Sequence, residues 1–247
     1  MLIMIWGRDG SGKSTLADHL GNLLSRDSLV AVIDSDLTQP TLPVRLAGTN
    51  FRRERSLGRA IAGTGTSEAK NYLHQHPECP GLFFAGLLNE DDYLSYEIGL
   101  EAEQVASRFI RHCQDTVDHV ILDCSGQRTD PFVPIGLQLA AQILIVMTPD
   151  LQGICWWKSV EPLLKQLNII EKINLILSPV QKHHQVDWIE SGIDRDVHYS
   201  LPYTPELNEL RCSALPSTQL NTRGGRKWLK AADQIVQQLF EPRSDAS

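Results

Sequence analysis

Gly7, Gly12, Lys13 and Ser14 stand at the spacing G-x-x-x-x-G-K-S, inside the stretch WGRDGSGKST. The chemistry that suits this set is the holding of a polyphosphate. Glycines let backbone N–H groups turn inward around phosphate oxygens, and a helix beginning at Lys13 adds its partial positive charge. On this reading Gly7, Arg8, Asp9, Gly10, Ser11 and Gly12 form the cradle, and Lys13 bridges the β- and γ-phosphates. The Ser14 hydroxyl sits on Mg²⁺, and Thr15 lies near the α-phosphate. Further acids follow two apolar runs. VIDSDLTQPTL carries Asp34 and Asp36 as a D-x-D, and HVILDCSGQ carries Asp123 with Gly126 three residues on. A carboxylate after an apolar strand suits the magnesium side of such a site. A glycine lets backbone approach a γ-phosphate, and a further acid can orient an attacking water.

Positioning these groups needs strands that end near one another. Apolar runs occur at Leu2–Trp6, Leu29–Ile33, Leu82–Leu87, His119–Leu122, Gln142–Met147, Ile173–Leu177 and Val197–Leu201. Several are continuous and rich in Val and Ile, as in strands buried on both faces of a parallel sheet. Helical patterns lie between them, at Ser14–Ser25, Leu94–Cys113, Leu137–Ala141, Trp156–Leu167, Pro205–Leu210 and Lys227–Phe240. The alternation implies an α/β fold, a doubly wound, mostly parallel sheet with helices on both faces. One domain is expected over 1–240, with a frayed polar tail over 241–247.

A chain of 247 residues can bury roughly 70% of the surface it exposes when unfolded, so no cofactor is needed to hold it together. The net charge of −7 argues against broad non-specific binding to nucleic acid and leaves a local basic patch open. The five cysteines are widely spaced with no C-x-x-C pair, which reads as free thiols in a reducing cytosol. MLIMIW is too short and lacks the basic start of a signal segment, and no apolar run approaches the ~20 residues that span a bilayer. The expected location is cytoplasmic.

The order GRDGSGKSTLADHLG, VAVIDSDLTQPTLP, HVILDCSGQ, ILIVMTPDLQGI, INLILS and LPYTPELNELRCSALP resembles the MinD/ParA ATPases, including the CpaE-like branch tied to pilus or secretion systems. The resemblance spans nearly the whole chain. It implies a sheet of seven or eight strands, binding of ATP and Mg²⁺, an ATP-dependent homodimer, slow hydrolysis, and an as yet unidentified protein partner in positioning or assembling cell machinery. It carries Gly12, Lys13, Ser14 and Thr15 onto the phosphate positions, and Asp36 onto the acid that helps activate water. Asp34 and Asp123 match acids that hold magnesium's water ligands, and Gly126 matches the γ-phosphate sensor. Pro202 and Tyr203, in LPYTPEL, fall in the segment that lies against adenine. Two departures stand out. The family's first loop lysine, which reaches the partner's phosphates across the dimer, is Arg8 here, and the next glycine is Asp9, a carboxylate that could pair with Arg8. An adenine-reading asparagine is replaced by Ser178.

Two other readings stay open. DGSGKST also resembles thymidylate kinase, with Arg52, Arg53, Arg55 and Arg59 as candidate acceptor or lid arginines, although such kinases lack the D-x-D followed by a late L-D-x-x-G strand. A non-hydrolysing nucleotide-bound scaffold is the second, motivated by Arg8 and Asp9. The closing helix has an apolar stripe and few basic residues on its polar face, so it reads as core rather than as a peripheral membrane anchor. The pair Trp156–Trp157 reads as one exposed and one core tryptophan, and His183–His184 as loop residues.

Overall fold

The computed structural model describes residues 1–63, 68–89, 99–127 and 129–240. The expected tail and the start of the helix expected from Leu94 lie outside the described residues. Eight strands form one sheet: β1 (Leu2–Gly7), β2 (Val30–Asp34), β3 (His74–Gln75), β4 (Leu82–Ala85), β5 (His119–Asp123), β6 (Gln142–Met147), β7 (Ile173–Val180) and β8 (Tyr199–Pro202). Their order is β3-β4-β2-β5-β1-β6-β7-β8. All neighbours are parallel except β3, which runs antiparallel to β4 at the edge. The architecture is the α/β doubly wound sheet expected.

The helices are α1 (Lys13–Leu24), α2 (Leu42–Arg45), α3 (Leu57–Ile61), α4 (Ala102–Gln114), α5 (Phe132–Leu139), α6 (Leu151–Gln166), α7 (Val186–Ile193), α8 (Glu206–Cys212) and α9 (Arg223–Phe240). Alternate residues of β1 face opposite layers, as strand geometry requires. Leu2 and Met4 join Phe109, Phe132 and Trp157 on one side, and Ile3 and Ile5 join Leu16, Leu20, Trp228 and Ile235 on the other. The stripe of α9 is thus spent on the core: Trp228, Ala232, Ile235, Val236 and Leu239 are buried, and the helix packs against β8 and α1. None of the described helices is long and apolar enough to cross a membrane.

The order places a reversal beside β1. The chain leaves β1 through α1 toward β2 on one side and leaves β6 through α6 toward β7 on the other, so crossovers diverge at the β1–β6 pair. Ligands in open parallel sheets bind at this kind of point, at the carboxyl ends of the strands. The phosphate-loop sequence follows β1 and lies there.

Some boundaries differ from the sequence expectation. Helix α5 starts at Phe132 rather than Leu137, because the Asp130 carboxylate accepts from the Phe132 N–H (2.8 Å). Helix α6 starts at Leu151 rather than Trp156, because Asp150 caps it through the Gly153 N–H (2.7 Å). Trp157 is fully buried. Trp156 is half-buried rather than exposed, its ring edge-on to Trp6 at 5.1 Å. Helix α7 and edge strand β3 had no expected counterpart.

The loop must begin with glycine for a packing reason. A Cβ on Gly7 would lie 2.0 Å from the Val146 carbonyl oxygen of β6, a backbone atom with no room to move. Gly7→Ala is expected to lower the unfolding free energy by about 3 kcal/mol, read from urea denaturation. A midpoint equal to wild type would refute the close approach of β1 to β6.

Candidate nucleotide-binding site

The loop between β1 and α1 turns through Gly10 (φ 79°) and Gly12 (φ 89°), both in the left-handed region that suits glycine. The Ser11 N–H bonds back to the Arg8 carbonyl at 3.3 Å. Helix α1 starts at Lys13 with no acidic residue in its first turn, so its N-terminal field faces the loop uncompensated from its own chain. Lys13 is only 7% exposed, and its ammonium donates to the Arg8 carbonyl (3.0 Å) and to Asp9 Oδ1 (3.2 Å). Asp9 Oδ1 also accepts from the Gly126 N–H at 3.1 Å. The expected pairing of Asp9 with Arg8 is therefore not what forms. Lys13 outcompetes it from four residues on, and Arg8 turns toward α6, donating to Thr148 Oγ1 (3.5 Å) and to Gln152 Oε1. Thr148 in turn donates to Asp150 Oδ1 (2.8 Å). Burial would raise the Asp150 carboxyl, but the Gly153 N–H, the Thr148 hydroxyl and the Arg8 charge hold it below the usual range.

The acids converge through sheet register. Asp34 ends β2 directly opposite Asp123, which ends β5. A cavity of about 60 Å³ is lined by Asp9, Lys13, Ser14, Asp34, Asp36, Asp123 and Ser125, among others. Four sequence-named carboxylates, the loop lysine and the loop serine thus share one space. Asp36 Oδ1 accepts from the Thr38 N–H (2.9 Å), the Thr38 hydroxyl (2.5 Å) and the Gln39 N–H (3.2 Å). All three bonds go to one oxygen, which fixes the carboxylate. Gln127 Nε2 donates to the same Thr38 hydroxyl at 2.9 Å, so the segment after Gly126 is tied to the D-x-D segment.

Two residues that the sequence reading missed organise this space. Arg45, at the end of α2, is buried among acids. Its guanidinium bonds to Asp123 Oδ2, lies 3.1 Å from Asp18 Oδ1 of α1 and 3.5 Å from Asp34 Oδ2, and faces the Phe84 ring at 5.9 Å. Burial works against its charge, and Asp18, Asp34 and Asp123 more than offset it. Burial pushes Asp34 up to about 6 against the pull of Arg45, and the Asp123 charge adds to the rise. The second residue is Asp130. Its Oδ2 accepts from the Ser35 hydroxyl and, at 3.0 Å each, from the Ser125 N–H and hydroxyl. It pins the loop after β2 to the loop after β5. Burial raises its pKa, against those hydrogen bonds. The D-P before the apolar run was a capping signal for α5; the cross-loop bonds had none.

Ser178 lies inside β7, buried, with its Oγ 3.1 Å from where a Cβ on Gly12 would be. Pro202 ends β8, and the Tyr203 N–H bonds to the Val180 carbonyl at 2.8 Å. Tyr203 is exposed. Ser178 thus abuts the phosphate loop, and Pro202 and Tyr203 follow at the outer side of the same sheet end. Gly126 meets Asp9, and Thr15 is half-buried in the first turn of α1.

The donor set suits a magnesium nucleotide. Left-handed glycines, a helix N-terminus and a buried lysine fit phosphate, and the Ser14 hydroxyl lines the acid-rich cavity. Among the described residues no group of three or more His, Cys, Asp or Glu side chains could hold a metal ion by itself.

No family model matches the sequence, and no curated protein matches it. Solved structures do. The chain is similar to a ParA family ATPase from Chlorobium tepidum TLS (19% identity, 96% of this chain and 98% of that one, TM-score 0.77). It is similar to the septum site-determining protein MinD of Pyrococcus horikoshii OT3, complexed with Mg-ADP (17% identity, 95% of each chain, TM-score 0.74). It is also similar to a putative plasmid partition protein of Borrelia burgdorferi B31 bound to AMPPNP (17% identity, 96% of each chain, TM-score 0.74). The chain therefore has the fold of the MinD/ParA ATPases, a P-loop NTPase architecture, as the resemblance implied.

Asp18 supplies a test of the buried cluster. Its carboxyl is pushed from 3.8 up to about 7 by burial, against the pull of Arg45. A pKa raised on folding contributes stability present below the unfolded value and lost as pH rises through the folded one, here between about 4 and about 7. Its side chain keeps 34% exposure, so the effect is discounted for screening. Asp18→Asn is expected to stabilise the protein by on the order of 1–2 kcal/mol at pH 8, and by less at pH 5. Thermal unfolding at both pH values checks it, and an equal or reversed difference refutes the assignment.

Proposed function

We propose that the chain binds ATP with Mg²⁺ through the β1–α1 loop and hydrolyses it slowly, as an ATP-dependent switch of the MinD/ParA type. The observation that carries this is the convergence of Lys13, Ser14, Asp34, Asp36 and Asp123 on one cavity at the carboxyl end of the sheet. Bound magnesium would neutralise phosphate charge. The chain's own residues do the rest. Loop amides and the α1 N-terminus hold phosphate oxygens, Lys13 supplies a buried cation, and Ser14 offers its hydroxyl to the metal. Asp34 and Asp123, fixed by Arg45, would hold the cation's hydration shell. Asp36, held at one oxygen by Thr38 and Gln39, offers the other to an attacking water. The Gly126 N–H senses the terminal phosphate, and Ser178, Pro202 and Tyr203 border the base.

On this reading residues 1–240 act as one cytoplasmic domain that dimerises on ATP and recruits a protein partner. Its task is to position or assemble cell machinery, in partition, division, or a pilus or secretion system. A non-hydrolysing scaffold is the second reading, favoured by one observation: Arg8 is bonded within its own chain, to Thr148 and Gln152. The kinase reading draws less support. Arg55 is spent on backbone, donating to the Asn71 carbonyl at 2.7 Å and the Leu73 carbonyl at 2.5 Å.

Lys13→Ala is expected to weaken nucleotide binding by about a hundredfold or more, the scale of removing one partner of a buried charge pair. Asp36→Ala should keep binding and lower turnover by about a hundredfold. Titration calorimetry and phosphate release read these separately. Unchanged turnover in Asp36→Ala sinks its role, and absence of turnover in wild type selects the scaffold. Light scattering with Mg²⁺ and ATP, ADP or a non-hydrolysable analogue tests the dimer. Mass should double with the triphosphates alone, and Arg8→Ala should abolish the change; a monomer under all conditions overturns the dimer.

A further inference from the structure

Asp9 stands where the resembling loops carry glycine, and one of its oxygens has unusual company. Oδ1 accepts from a backbone amide, Gly126 N–H at 3.1 Å, and from an ammonium, Lys13 Nζ at 3.2 Å. A cation and an amide converging on one anionic oxygen are what the terminal oxygen of a nucleoside triphosphate would draw on at this site. The fit is close. A Cβ at position 126 would lie 2.6 Å from Asp9 Oδ1, so the carboxylate rests directly on Gly126. The side chain is also free to leave, since it is 77% exposed.

We propose that the Asp9 carboxylate stands in for the γ-phosphate and makes Asp9 a specificity-determining residue, one that sets the site in favour of a nucleoside diphosphate over a triphosphate. The inference rests on the nucleotide reading above. A diphosphate ends at the β-phosphate and leaves the Asp9–Gly126 bond in place. A triphosphate needs that amide and brings a second anion to a cavity that Asp34, Asp36 and Asp123 already line. Asp9 must then swing out, surrendering two charge-assisted bonds. The loop is closed over its own lysine until a triphosphate displaces the carboxylate, so Asp9 also couples nucleotide state to the segment after β5.

The test is titration calorimetry with Mg·ADP and Mg·AMPPNP on wild type, Asp9→Asn and Asp9→Gly. Exposure of Asp9 makes both variants compatible with folding. Wild type should bind Mg·ADP about tenfold more tightly than Mg·AMPPNP, the worth of a charge-assisted hydrogen bond. Both variants should bring the two affinities to within about threefold, by tightening the triphosphate. Equal affinities in wild type, or an unchanged ratio in the variants, overturn the proposal. So does a loss of triphosphate affinity in Asp9→Asn, which would mark Asp9 as a support for the cation. Absence of binding by both nucleotides in wild type overturns the nucleotide reading itself, and this inference with it.

Discussion

A parallel sheet that ends several strands in carboxylates must answer for their charge, and here a single arginine does so. Asp34 and Asp123 sit in register at the ends of adjacent strands, and Asp18 faces them from α1. Unpaired, carboxylates so placed would repel one another and resist burial. Arg45 lies among all three, and it comes from the short helix α2 that follows the D-x-D. The D-x-D segment is thereby folded back onto α1 and β5. The charge that neutralises the acids also fixes where Asp36 and Thr41 stand, with Thr41 donating to Asp34. Replacing such a cation exposes its partners to the full cost of burial, so the acid side of the site and the local fold stand or fall together.

A second residue ties the same two strand ends together. Asp130 satisfies the first turn of α5 and, with its second oxygen, collects Ser35 and Ser125 from the two loops that border the cavity. Gln127 adds a bond to Thr38. The loops after β2 and β5 are therefore one hydrogen-bonded body rather than two independent segments. Movement at Gly126 would be felt at Asp36 through Gln127, Thr38 and the shared Asp130 anchor. For a switch that reads a phosphate at one loop and positions water at the other, that link gives a physical route between sensing and turnover.

Much of this was legible in the sequence, for reasons of period and punctuation. Continuous Val- and Ile-rich runs gave the buried strands, and the glycines and Lys13 gave the loop. Acids placed just after strands gave Asp34, Asp36 and Asp123. What was not legible depended on tertiary pairing. Arg45 lies nine residues after Asp36, the nearest motif position before it, and only the return of α2 onto the sheet brings it to Asp123. Edge strand β3 has two residues and no period to read. Helix α7 is only eight residues long; its apolar positions Val186, Ile189 and Ile193 do stand at helical spacing, so it was legible and was passed over. The expected starts of α5 and α6 fell five residues late because the bonds that begin these helices, from the Phe132 N–H to Asp130 and from the Gly153 N–H to Asp150, lie ahead of the apolar pattern that was read.

The two departures in the loop, Arg8 and Asp9, prove to be parts of one arrangement rather than separate substitutions. Their side chains diverge across the loop, Arg8 toward Thr148 and Gln152 at the start of α6, and Asp9 toward Gly126 after β5. Those are the segments that follow β6 and β5, the strands on either side of β1. The loop is thus braced to both neighbours by its own side chains, where a glycine at position 9 could brace only through backbone. The two braces differ in consequence. The Arg8 brace limits loop conformations without filling the cradle. The Asp9 brace takes up the Gly126 N–H and must be released before a terminal phosphate can use that amide. The Arg8 brace also sets the terms for any contact across a dimer. A guanidinium that reaches a partner's phosphate must first leave Thr148, at a long 3.5 Å, and Gln152, whose bond is exposed. A phosphate is a stronger acceptor than either, and Arg8 can hold it with two parallel bonds. On the proposed reading the exchange is favourable only when a phosphate is presented, so the intrachain bonds to Thr148 and Gln152 would be the arrangement Arg8 keeps in its absence.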